Sequence, residues 1–408
     1  MPKNDPKRES HDEKVIGTLK EHIRTALPSV IEHRRALHAI PELAFEEFET
    51  ARYLTSALES LGLKVRKEIA ETGLLVEMPG SQSGPTIMLR ADMDGLPIEE
   101  FEEHDPRSRH PGRMHACGHD GHMAIALGAC EAWKRASADL AFPGRLLVLF
   151  QPAEEAKGGG ARRIIESGLL DEVEVDYVLG LHLWSDLERG RAIIPDGTVL
   201  ASSDEFRVTF CGKGGHAALP HQADDVILAA SRFVSAVQSL VSREIDPMTA
   251  AVVTIGRFHS GDAANVLPER ATLEGTFRTT DPETREMIAT RLVETARAGT
   301  LGTGIEVDVH RNFGYPATIN DPVVAETMRK AASDVLGHDK ILSNPPTMAS
   351  EDFSYFLEAR PGAFMLLGMR DEEAGVVHPH HNPRFRIDDR VLPDGIEILL
   401  RTAISLMT

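Results

Sequence analysis

Residues 114–122 read Met-His-Ala-Cys-Gly-His-Asp-Gly-His, so a thiol, three imidazoles and a carboxylate crowd into nine positions. Three accounts fit such a cluster: a metal site, a Cys/His nucleophile, or a polar turn capping a helix. Cys117 and His119 stand two apart, which rules out a shared helix face and suits a loop. The residues after Asp120 are small or good helix formers, so a helix is expected to start near Asp120. Its dipole would favour a thiolate just ahead of it and lower the Cys117 pKa. That would serve metal ligation and nucleophilic attack equally.

Further candidates lie downstream. The apolar run 145–150 ends at Gln151-Pro152, and Glu154 and Glu155 follow. Open α/β sheets keep their sites past the carboxyl ends of strands. Adjacent glutamates on such a loop can divide the work, one holding a metal and the other acting as a base. A solvated acidic turn explains the pair equally well. His182 interrupts the apolar strand pattern of Gly180–Trp184, where a satisfied core histidine is the commoner occupant. His378, His380 and His381 crowd the segment 377–385; such tracts are metal-prone, although an exposed loop also fits. Taken together the clusters offer S, N, O, N and N donors. That mixture suits zinc, manganese, cobalt or nickel rather than calcium or magnesium. Five donors exceed one tetrahedral site and point to a bridged pair of divalent ions.

The elements that must position these groups alternate along the chain. Helical spacing marks 29–39 and 46–61. Nearly continuous apolar runs at 73–78, 86–92, 145–150 and 176–183 read as strands buried on both faces. Helical segments at about 120–136 and 158–168 lie between them. This rhythm predicts an α/β domain with a mostly parallel sheet flanked by helices. From 205 to 311 the order becomes β-α-β-β-α-β, a ferredoxin-like unit. The α/β rhythm then resumes, with helices near 321–336 and 387–406 and a strand at 363–369. We therefore expect one domain from 1–197 and 315–408, and a second, inserted domain over 198–314.

Composition bounds the function. The 408 residues carry a net charge of −19, which argues against nucleic acid as a partner. No apolar run reaches the roughly 18 residues of a membrane helix. The first 14 residues lack the apolar core of a secretory signal and read as a frayed tail. Cys117, Cys130 and Cys211 are too few and scattered for a disulfide framework, so a reducing cytoplasm is the expected location.

Seven segments, RADMDGLPIEE, MHACGHDGH, FQPAEE, GKGGHAALPH, NVLPERATLEGTFRT, SEDFSYF and HNPRF, occur in the order and spacing of the M20 metallopeptidases. From about residue 30 to the C-terminus the chain resembles that family's aminoacylase, hippurate-hydrolase and auxin-conjugate-hydrolase branch. The resemblance implies hydrolysis of N-acyl amino acids, two divalent ions in a catalytic domain, and an inserted lid domain that often dimerises. A homodimer or homotetramer through the lid is the expected assembly. By motif, Cys117, His119, Glu155, His182 and His381 would hold the ions, and Glu154 would be the general base. Asp94, beside Asp92 at the end of a strand, would hold a ligand histidine by its free N–H. Glu351 would act similarly.

His115, His122, His378 and His380 would be neighbours rather than ligands. In the lid, the glycine-rich stretch before His216 lets it approach a substrate closely, where an imidazole N–H could stabilise the oxyanion. In some relatives this residue serves the partner's site. Asn265 and Arg278 would face the substrate, Arg278 pairing with its carboxylate. The ions would lower the pKa of a water, and Glu154 would carry its proton to the leaving amine. Alternatives are a dipeptidase, carbamoylase or N-acetyl-diaminopimelate-type deacetylase, then a Cys117/His119 nucleophile, then a non-catalytic binding protein. Neither the acyl group, the amino acid nor the metal is legible in the sequence.

Overall fold

The structure, a computed structural model, describes residues 6–156, 158–343 and 347–408, with side chains from residue 14 onward. The chain forms two compact units. The first comprises 1–199, 319–345 and 355–408, and the second comprises 200–318 and 346–354. Residues 346–354, which the sequence reading kept with the larger part, cluster with the smaller unit.

The first unit is built on an eight-stranded sheet. Its four central strands, in spatial order Pro143–Gln151, Gln82–Asp92, Tyr177–Glu188 and Gly362–Arg370, are all parallel. Gly73–Pro79 and Val65–Ile69 extend one edge antiparallel. On the other side Ala192–Ile193 pairs antiparallel with Gly362–Arg370, and Ile341–Leu342 lies beyond it. The central strands carry apolar side chains on both faces because helices leave neither face to water. Register puts Asp92 opposite Gln151 and His182 opposite Leu366. The loops leaving Asp92 and Gln151 therefore start side by side.

Helices Pro6–His38, His119–Asp139 and Leu392–Met407 pack against one another. The first runs back to Pro6, so residues 6–14 of the expected frayed tail are helical; residues 1–5 lie outside the described residues. Leu19, Ile23, Ala26, Val30 and Leu37 are buried at helical spacing, and the exposed Pro28 does not end the helix. Among the described residues no helix is long and apolar enough to cross a membrane.

In the second unit an antiparallel sheet has the order Ala251–Ser260, Arg270–Thr279, Asp204–Cys211, Glu306–Asn312. With helices Val226–Ser239 and Pro282–Ala298 this is the ferredoxin-like arrangement. Phe206, Val208 and Phe210 alternate inward to meet Phe233 and Phe277 in its own core.

His38, the last residue of the first helix, locks that helix to the next. Its Nδ1 lies 2.8 Å from Asp120 Oδ2 and its Nε2 lies 2.8 Å from Glu100 Oε1. Burial alone would strip its proton, but the Asp120 and Glu100 carboxylates outweigh burial and raise its pKa to about 9. A raised folded-state pKa stabilises the fold fully below the unfolded value near 6.5 and ceases to do so as pH rises through the folded one. Unfolding free energy should therefore fall between about pH 6.5 and about pH 9. The drop is expected to be on the order of a few kcal/mol, at about 1.4 kcal/mol per pKa unit. Denaturant titrations of His38→Gln, which cannot bind the proton, should lack this part of the pH slope; an unchanged slope would contradict the assignment.

Gly128 sits where two helices close on the third. An added Cβ would meet Val30 Cγ2 at 2.8 Å and press on Ile396. Gly128→Leu should overpack this crossing and cost about 1–3 kcal/mol, read as a lowered Tm.

Candidate metal centre

The donors are delivered by the carboxyl ends of the parallel strands and by the start of one helix. Gly118 precedes the His119–Asp139 helix with φ 97°, a left-handed turn that glycine adopts without strain. Cys117 and His119 lie on either side of that turn, and both are buried. His119 Nδ1 is 2.8 Å from the backbone carbonyl of Asp94 and donates to it. This fixes the tautomer and leaves Nε2 buried with no hydrogen-bond partner. His182 repeats the pattern: Nδ1 donates to the Leu183 carbonyl at 2.7 Å, and Nε2 lies 3.4 Å from Cys117 Sγ.

The Asp94 carboxylate organises the opposite wall. Its two oxygens accept the backbone N–H groups of Glu154 and Glu155, each at 2.9 Å. Glu155 Oε1 lies 3.1 Å from His381 Nε2, a charge contact without hydrogen-bond geometry. His381 is held by its own N–H, which donates to the Ala116 carbonyl at 2.8 Å.

The other histidines are used up or lie apart. His122 Nδ1 is 2.7 Å from Asp92 Oδ1, and its Nε2 accepts the Leu183 N–H at 2.9 Å. His380 contacts Ser185 Oγ at 2.9 Å through Nδ1 and the Leu183 carbonyl at 2.8 Å through Nε2. Neither has a nitrogen to offer, so His381, not His380, faces Glu155. His115 is buried with both ring nitrogens unpartnered, and burial pushes its pKa down to about 4. His378 is half-buried outside the cluster.

Donor atoms of Cys117, His119 and His182 all lie within 4.8 Å of one another, as do those of Cys117, Glu155 and His381. The two triads share the Cys117 sulfur. Around one ion with bonds of about 2.0–2.3 Å, donors stand roughly 3.3–3.8 Å apart; the 3.4 Å Cys117–His182 separation fits that spacing. Asp92 adds a carboxylate oxygen 3.8 Å from His119 Nε2. The field also favours a cation. Burial alone would lower the His119 pKa, yet Asp92 and Asp94 raise it to about 10. The orphaned His119 nitrogen, the shared thiol and this negative field together fit a pair of divalent ions.

One expectation is reversed in the absence of a cation. Cys117 was expected to be a ready thiolate at a helix start. Burial and the carboxylates of Glu155, Glu154 and Asp92 instead push its pKa well up. Burial and these charges act together against the thiolate, and a bound cation would release the proton.

The remaining candidates belong to the second unit. His216 pairs with Val266 in a two-stranded ribbon, and its Nδ1 accepts the Ala218 N–H at 3.0 Å. Asn265 is adjacent, its carbonyl accepting the Ala217 N–H at 3.0 Å. Arg278 lies on the strand Arg270–Thr279 and donates from a terminal guanidinium nitrogen to the Met348 carbonyl at 3.0 Å. Glu351 is buried and accepts the Phe353 N–H at 3.0 Å. Sequence reasoning missed the Asp92–His122–Leu183 chain that braces the His182 strand. It also missed Glu47, whose Oε1 accepts the Ala153 N–H at 2.9 Å. Nothing in the run Glu46-Glu47-Phe48-Glu49 distinguishes that glutamate from its neighbours.

Residues 88–405 match the model of peptidase family M20/M25/M40. The chain is 37% identical to an IAA-amino acid hydrolase of Arabidopsis thaliana, over 91% of this chain and 85% of that protein. It is 37% identical to an N-acetyl-L-cysteine deacetylase of Bacillus subtilis, over 96% of this chain and 92% of that one. A solved structure, a dinuclear metal-binding peptidase of family M20 from Bacillus subtilis, superposes with TM-score 0.82 at 30% identity. That match covers 94% of this chain and 99% of the other. The protein described here belongs to peptidase family M20/M25/M40.

Proposed function

We propose that the chain hydrolyses the amide bond of N-acyl amino acids with two divalent transition-metal ions held by Cys117, His119, Glu155, His182 and His381. The observation that carries this reading is the division among the histidines. His119 and His182 each tie up Nδ1 on a backbone carbonyl and leave Nε2 toward Cys117 and its neighbours, whereas His122 and His380 have both nitrogens spent. The relatives named for N-acetyl-L-cysteine and for indoleacetic-acid conjugates support an amide between an acyl group and an amino acid.

Bound ions supply Lewis acidity, which polarises a carbonyl and brings the pKa of a water toward neutrality. The chain's part is to move protons and fix the reactants. Glu154 takes a proton from water and returns it to the leaving amine. Its backbone N–H is anchored on Asp94, so the carboxylate is projected from a fixed main chain. In the second unit His216 keeps Nε2 outside its Ala218 contact and is the proposed donor to the developing oxyanion. Asn265 and Arg278 are the proposed substrate contacts, and dimerisation through the second unit is the proposed assembly. A cysteine nucleophile is the poorer account, because the environment that raises the Cys117 pKa withholds the thiolate.

The two glutamates should separate experimentally. Glu154→Gln should bind divalent metal as the parent does and lose about a hundredfold or more in kcat. Glu155→Ala should lose bound metal, measured by elemental analysis after gel filtration. Retention of both metal and activity by both variants would reduce the pair to a solvated turn. Chelation should abolish hydrolysis of N-acetyl and N-benzoyl amino acids, and zinc, manganese or cobalt should restore it.

A further inference from the structure

The loop that carries Glu154 and Glu155 presents three consecutive amide N–H groups, and each ends on a buried carboxylate. Glu154 and Glu155 donate to the two oxygens of Asp94. Ala153 donates to Glu47 Oε1 at 2.9 Å, and Glu47 Oε2 accepts the Thr72 hydroxyl at 2.6 Å. Glu47 is completely buried. The Glu154 and Glu155 N–H groups meet on Asp94 and the Ala153 N–H is taken by Glu47, so all three amides of this turn are held by the protein's own carboxylates.

Ala153 has φ 58°, a left-handed conformation that costs a non-glycine residue on the order of 1–3 kcal/mol unless its surroundings impose it. Two contacts impose it. Its N–H is taken by Glu47, and its carbonyl accepts the Gly160 N–H at 2.9 Å. There is no slack on the Gly160 side, since an added Cβ there would fall on the Pro152 carbonyl oxygen.

We propose that Glu47 is a positioning residue for the Glu154–Glu155 pair, holding the Ala153 amide and thereby the backbone from which both carboxylates are projected. The proposal rests on the reading of those glutamates as base and metal ligand. Remove the Glu47 carboxylate and a buried N–H loses its acceptor while the left-handed residue loses its compensation. The Pro152–Ala153 peptide is then free to turn, and both glutamates swing with it.

What Glu47 supplies is an acceptor of the right reach rather than a charge. Burial pushes its pKa up to about 7, and Asp94 adds repulsion. Glutamine can reproduce both contacts, its carbonyl accepting from Ala153 and its amide donating to Thr72 Oγ1. Alanine reproduces neither.

The test compares Glu47→Ala and Glu47→Gln with the parent in the full chain. Zinc and manganese affinities are measured by competition with a chelating indicator, kcat and KM on N-acetyl and N-benzoyl amino acids, and Tm by calorimetry. Glu47→Ala should weaken the metal by about tenfold or more and lower kcat by about 10–100-fold. KM should change far less. Glu47→Gln should restore affinity and kcat to within about threefold of the parent. Parental values in Glu47→Ala overturn the proposal, as does a Glu47→Gln variant as damaged as the alanine. If Glu47→Ala does not fold, Thr72→Val removes only the partner that aims Glu47. It should lower metal affinity and kcat in the same direction by a smaller factor, and no change overturns the proposal. A parent that binds metal yet hydrolyses none of these substrates defeats the functional reading alone, because the metal-affinity comparison still decides the role of Glu47.

Discussion

Asp94 ties together parts of the chain that the sequence separates widely. Its carbonyl fixes the His119 ring, and its carboxylate receives the amides of Glu154 and Glu155. The parallel sheet makes this possible. Gln82–Asp92 and Pro143–Gln151 are neighbours in register, so the turn leaving Asp92 emerges beside the turn leaving Gln151. A shift of that register would carry Asp94 away from the amides it accepts and uncouple the histidine from the glutamates. The sheet's position in a closed core, with helices over both faces, is what makes such a shift costly.

The centre is electrostatically expensive without a cation. Asp92, Asp94, Glu154 and Glu155 crowd around one thiol and two imidazoles with little water. The protein responds as physics requires: His119 takes up a proton and Cys117 keeps its own. A divalent cation would exchange for those protons, so metal affinity and pH are linked. The remaining negative charge is carried by hydrogen bonds: Asp92 by Arg90 and His122, Asp94 by two backbone amides, and Glu47 by an amide and a hydroxyl.

Much of this was legible in the sequence for specific reasons. The strands at 86–92 and 145–150 carry consecutive apolar residues, Ile87–Leu89 and Leu146–Phe150, and a sheet buried on both sides accounts for such runs. The ferredoxin-like arrangement of the second unit is legible from the β-α-β-β-α-β succession of segments over 205–311. The cluster at 114–122 announced itself by density of donors. Other features left no local mark. His380 and His381 are adjacent and of one type, and only the backbone turn at His381, with φ 63°, sends them to different partners. Glu47 looks like any surface glutamate until the fold buries it under Ala153. The sequence spacing marks the first helix only over 29–39, whereas the apolar spacing of Leu19, Ile23 and Ala26 carries it back through Pro28. At Cys117 the helix start is legible in the sequence, but the burial of the thiol and the approach of Glu155, Glu154 and Asp92 from elsewhere in the chain are not.

The two donor triads share Cys117, and cobalt(II) reports on this directly. Protein stripped with chelator and titrated with cobalt should bind two ions per chain and develop a near-ultraviolet sulfur-to-cobalt charge-transfer band. Cys117→Ser should remain folded and lose that band. Saturation at one ion, or a cobalt spectrum free of sulfur ligation in the parent protein, would contradict the shared-thiolate centre.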